Sequence, residues 1–129
     1  MGFLIVFLGA GIGGACRHGI NLAALRLLGP GFPYGTLGIN VLGSFLMGVI
    51  AEYFALRSGL PQHWRLFLTT GILGGFTTFS AFSLDAALMY EKDQFGAAFA
   101  YVAASVILSI AALFAALALM RLLLNGGAA

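Results

Sequence analysis

Four apolar stretches, each long enough to cross a lipid bilayer, take up almost the whole of this chain. The first runs from Phe3 to Leu28, carries Arg17 and Arg26, and ends at Gly29-Pro30-Gly31-Phe32-Pro33. The second spans Tyr34 to Leu56 and stops at Arg57-Ser58-Gly59-Leu60-Pro61. The third extends from His63 to Tyr90 and meets the charged turn Glu91-Lys92-Asp93; the last covers Phe95 to Leu124, with Arg121 near its end. A hydrocarbon core of about 30 Å takes about 20 apolar residues per helix, so each stretch crosses once. Of the 129 residues, 61% are apolar and 8% charged, where a soluble domain carries about 25% charged residues. Links of a few residues make successive helices antiparallel neighbours. The expectation is an all-α integral membrane protein, a single domain over 1–129 with four transmembrane helices and no extramembrane part.

Composition also excludes several classes. The net charge of +2 comes from scattered cations, without the basic run or aromatic-basic interleaving that a nucleic-acid partner needs. Cys16, the single cysteine, permits neither an intrachain disulfide nor a cysteine metal cluster. No Lys or Arg precedes the apolar start, as a secretory signal requires, and Gly13 stands where a lipoprotein cleavage box has Leu, so the segment is expected to stay. Gly9-Ala10-Gly11-Ile12-Gly13-Gly14 fits the dinucleotide pattern G-x-G-x-x-G, but no acid lies between Gly14 and Glu52 to hold a ribose about 20 positions on. His18, His63, Asp85 and the serines show no nucleophile–base spacing, and an enzyme is rejected.

With four helices, Arg57, Arg65 and Arg121 fall on one side of the membrane and Arg26 and Lys92 on the other, while Arg17 lies too deep to assign. Lys/Arg asymmetry fixes orientation, and here it is almost absent. Two readings follow: insertion both ways with pairing as an antiparallel dimer, or one orientation fixed by something else. Gly9/Gly13, Ser44/Gly48 and Gly71/Gly75 are small-xxx-small pairs that let helix backbones approach.

The third stretch contains the most informative run, Gly71-Ile72-Leu73-Gly74-Gly75-Phe76-Thr77-Thr78-Phe79-Ser80-Ala81-Phe82-Ser83. Paired glycines followed by β-branched threonines make a poor helix centre. At membrane depth a broken helix persists only where its backbone groups find partners or line a cavity, and its opposed ends present carbonyls to a cation. Phe79 and Phe82 share a helix face, and aromatic rings offer a positive edge to an anion. Ser80 and Ser83 lie beside them. Thr36, Asn40 and Ser44 recur every fourth residue on the second span, as do Tyr101, Ser105 and Ser109 on the fourth. Such neutral donors bond an anion at less burial cost than charges. A ring of arginines would bind too tightly to conduct. Composition does not separate fluoride from chloride. Arg17, the one charge well inside a span, either draws anions into a vestibule or satisfies carbonyls at a helix end.

Pro33-Tyr34-Gly35-Thr36-Leu37-Gly38-Ile39-Asn40, Gly43-Ser44-Phe45-Leu46-Met47-Gly48 and the Gly71 to Ser83 run resemble the Fluc (CrcB-type) fluoride channels over nearly the whole chain. The resemblance implies a dual-topology homodimer in the bacterial inner membrane, with two antiparallel pores for passive fluoride export. Fluoride enters cells as neutral hydrogen fluoride and is trapped when that dissociates. A structural sodium ion at the dimer centre is also implied, held by the backbone carbonyls of Gly74 and Thr77 from both subunits. By position, Phe79 and Phe82 match the pore phenylalanines and Asn40 the pore amide. Ser80, Ser83, Thr36 and Tyr101 match the polar track, and Arg17 the arginine that closes the first motif. His18 and Ala81 depart from the usual aromatic residue and threonine. A small multidrug transporter, the nearest rival, needs a glutamate in the first helix, where this chain has Arg17. A structural bundle without transport ranks third, because it gives no reason for Gly-Gly-Phe-Thr-Thr at mid-depth.

Overall fold

The computed structural model describes residues 1–57, 59 and 61–124; Ser58 and Leu60 of the second turn lie outside the described residues. Every regular element in them is helical. Helix α1 (Gly2–Leu28) is followed by α2 (Tyr34–Leu56) and α3 (Gln62–Leu66). A π-helical segment, Phe67–Leu73, leads into the short α4 (Gly74–Phe76), then α5 (Phe79–Glu91) and α6 (Phe95–Leu124). Four helical stretches are long and apolar enough to cross a membrane: Gly2–Leu28, Tyr34–Leu56, Gln62–Glu91 and Phe95–Leu124. The expected spans agree with these to within a residue at each end. Turn chemistry explains why. Gly29 closes α1 with φ of 80°, in a region L side chains avoid, and its N–H donates to the Leu25 carbonyl. Pro33 and Pro61 stand just ahead of α2 and α3, where a missing N–H does no harm.

Helix α2 packs most extensively on α6, and α1 on the π-helical segment and α4. The small-residue pairs make both contacts. A Cβ on Gly13 would fall on the Ile72 carbonyl oxygen, and one on Gly9 would stand 2.8 Å from the Gly71 Cα. The Gly9/Gly13 and Gly71/Gly75 pairs therefore face each other across one backbone-to-backbone contact. In the other seam, a Cβ on Gly48 would meet that of Ala116 at 2.7 Å. The π-helical segment lies against α1 at this approach. Wider turns of that kind are rare and concentrate at functional sites.

Large apolar side chains point outward along the spans; Phe3 is 95% and Phe99 77% exposed. Water would penalise that surface by about 25 cal/mol per Å², whereas hydrocarbon does not. Inside, Ile39, Leu73 and Phe76 form one small core, and Met89, Ala98 and Tyr101 a second. At one end of the bundle Arg121 Nε reaches Glu52 Oε1 at 3.3 Å, joining the last turns of α6 and α2.

Candidate functional site

Between α4 and α5 the backbone is extended, with φ, ψ of −81°, 158° at Thr77 and −152°, 118° at Thr78. Local sequence favours this, since the two glycines weaken the helix before it and both threonines prefer extended backbone. Asn40 then holds it. Its Oδ1 accepts from the Thr78 N–H at 2.9 Å, and its Nδ2 donates to the Thr78 carbonyl at 3.0 Å. One side chain thus satisfies both backbone groups of a buried residue. Helix α2 passes this close because Gly43 lacks a side chain; a Cβ there would strike the Thr77 Cγ2.

The threonines complete the junction. Thr77 Oγ1 donates to the Leu73 carbonyl at 2.9 Å, alongside the Thr77 N–H at 3.0 Å. Thr78 caps α5 through its hydroxyl, which accepts from the Ala81 N–H at 3.1 Å. Two carbonyls lose their helical donors as a result. An unbroken helix would pair the Gly74 carbonyl with the Thr78 N–H and the Thr77 carbonyl with the Ala81 N–H, but these go to Asn40 and to Thr78 Oγ1. Backbone oxygens relieved of donors are hard ligands suited to a cation. Among the described residues no group of three His, Cys, Asp or Glu offers a metal site.

Phe79, Phe82 and Tyr101 form an aromatic row, with centroids 5.5 Å apart for the first pair and 5.2 Å for the second. Phe79 is 77% exposed, whereas Tyr101 is fully buried. A cavity of about 400 Å³ runs along this row, lined by Asn40, Ser44, Thr77, Thr78, Phe79 and Phe82, with Ser105 and Ser109 from α6. The hydroxyls of those two serines are buried without a hydrogen-bond partner among the described residues. Unpaired donors on a cavity wall are what an anion or water would occupy. A second cavity of about 490 Å³ is lined by Thr36, Ala81, Asp85 and residues of the neighbouring loops. Tyr101 touches both sets: its ring packs on Phe82 and its hydroxyl donates to Asp85 Oδ2 at 3.1 Å.

The residues singled out from sequence are thus distributed over two cavities. Asn40, Phe79 and Phe82 share the first; Thr36 is in the second, and Tyr101 lies between. Ser80 is exposed with its hydroxyl 3.4 Å from Thr78 Oγ1, and Ser83 is exposed; neither lines these cavities. Ala81 lines the second, so the hydroxyl this chain lacks is missing from that wall. Arg17 is half-buried, and its Nε has no hydrogen-bond partner among the described residues. A Cβ on Gly14 would lie 3.9 Å from Arg17 Nη2 and 4.0 Å from the Gly75 carbonyl oxygen, so α1 brings both groups to the neighbourhood of Gly14. Asp85 enters the sequence reading only as a residue without nucleophile–base spacing. Its bond to Tyr101, 16 positions away, is tertiary.

Residues 4–117 match the family described as CrcB-like protein, Camphor Resistance (CrcB). The chain belongs to the CrcB family. Among its relatives is a protein of Granulibacter bethesdensis named fluoride-specific ion channel FluC, 62% identical over 98% of this chain and 99% of the relative. A Rhodopseudomonas palustris protein of the same name is 61% identical over 94% of this chain and 98% of its own length. One from Methylobacterium nodulans, also so named, is 60% identical over 92% and 94%. Each of these CrcB relatives is named as a channel, which bears out the rejection of an enzyme.

Proposed function

We propose that this CrcB protein is a fluoride-selective channel of the bacterial inner membrane through which fluoride leaves the cytoplasm passively. The observation that carries the reading is the cavity beside the α4–α5 junction. It combines phenylalanine edges with neutral donors, in a chain 62% identical to a relative named as a fluoride-specific ion channel. A small, strongly hydrated anion leaves water only where donors replace its shell, and it leaves the site only if none binds too tightly. In this reading the anion passes Thr36 and Tyr101, then Phe82 and Phe79, with the remaining amide hydrogen of Asn40 and the serine hydroxyls as donors.

The working unit is an antiparallel homodimer with two pores. Support comes from the weak Lys/Arg bias and from the outward-facing Phe79, which a second copy would cover. The carbonyls of Gly74 and Thr77, freed of their helical donors, would hold a structural sodium ion at the dimer centre. Such an ion supplies positive charge that ties the two junctions together. Reconstitution with labelled termini tests the assembly. Labels are expected on both membrane faces in near-equal number, and labels confined to one face would defeat the antiparallel arrangement.

A further inference from the structure

The turn Glu91-Lys92-Asp93 has three consecutive exposed charges, of which only the cation borders a cavity. Lys92 lines the cavity of about 490 Å³ that also contains Asp85 and Thr36, while Glu91 and Asp93 do not line it. The backbone enforces this sorting. The Gln94 N–H donates to the Met89 carbonyl at 2.9 Å and the Asp93 N–H to the Tyr90 carbonyl at 3.1 Å. Together these bonds form a Schellman closure of α5. Its left-handed position, where glycine is usual, is occupied by Asp93 at φ of 60°, the one described non-glycine residue with positive φ. Strained backbone of this kind persists where the surroundings require the geometry. Here it fixes how Lys92 leaves the helix end.

The chemistry of the cavity gives the lysine a task. Asp85 puts a carboxylate on the wall of a space that an anion is to enter, and its hydrogen-bond donor, the Tyr101 hydroxyl, is neutral. Lys92 is the sole cation among the lining residues, with Asp85 the sole acid. With both present the cavity carries no net charge; without the lysine it repels anions. We propose that Lys92 is an electrostatic collector that offsets Asp85 and concentrates fluoride at the cavity mouth. The inference rests on the channel reading and adds a residue to it.

Fluoride currents in planar bilayers of neutral lipid, at two ionic strengths, test it with the full-length protein. At about 10 mM the screening length is ~30 Å, and at about 1 M it is ~3 Å. A unit charge acting through water over about 4–8 Å changes local anion occupancy about two- to fivefold. Lys92→Gln is therefore expected to lower the current about two- to fivefold at low ionic strength and to match the wild type at high. Lys92→Arg is expected to conduct as the wild type at both. Equal currents for Lys92→Gln and wild type at low ionic strength would overturn the proposal, as would a loss that salt does not erase. A wild-type protein that carries no fluoride current would instead remove the channel reading, and the collector with it.

Discussion

Asn40→Ala is expected to destabilise the protein by about 2–4 kcal/mol and to stop fluoride efflux. The amide makes two hydrogen bonds to Thr78, at 2.9 and 3.0 Å, and Thr78 is only 8% exposed. Alanine leaves that N–H and C=O buried without partners, at about 1–3 kcal/mol for each group. Nearby water is scarce at membrane depth, so the chain must move to regain the bonds. The simplest way is to extend the helix through Thr77 and Thr78, which closes the junction and erases the cavity wall. Thermal unfolding in detergent and efflux from liposomes report the two effects separately. Asn40→Asp sharpens the comparison. It keeps an acceptor for the N–H but loses the donor for the carbonyl, and is expected to fall between the wild type and alanine in stability. Wild-type stability and flux in Asn40→Ala would mean that the junction holds itself, and the account of the clasp would fail.

Phe82→Ile is expected to slow fluoride flux about tenfold or more while leaving the fold intact. Phe82 packs between Phe79 and Tyr101 and lines the cavity with Phe79. Isoleucine retains most of the apolar area, so stability falls only by the aromatic pairings, about 0.5–1.5 kcal/mol each. What disappears is the positive ring edge. If the anion passes that edge, losing about 1.4 kcal/mol of barrier lowering corresponds to a tenfold slower passage. Flux and unfolding temperature separate again here. Unchanged flux would take Phe82 out of the pathway, whereas a large drop in stability with proportionate loss of flux would make it a packing residue only.

These two residues also mark the boundary of what could be read beforehand. Hydropathy and turn residues delimit the four spans to within a residue, because a 20-residue apolar run leaves a helix few alternatives in lipid. Small-residue spacing identified the helix faces that approach closely, since backbone contact needs the absence of side chains. Asn40 and Phe82 were likewise visible as a polar and an aromatic position on defined faces. Their partners were not. The Asn40–Thr78 clasp joins residues 38 apart, and periodicity along one helix says nothing about which face of another it meets. The π-helical segment Phe67–Leu73 has no signature of its own beyond Gly71 and two threonines. The Asp85 partner is not readable along its own helix, because its tyrosine lies on the next one. Lys92 is one charge among three in the sequence, because no spacing along the chain tells which of them borders a cavity.

The family assignment and the cavity chemistry meet in one quantity, the selectivity between fluoride and chloride. Liposomes loaded with equal amounts of both ions and carrying a cation ionophore measure it directly, with an electrode for each ion. Rapid release of fluoride with chloride retained is the predicted result. Release of both at the same rate would contradict the account.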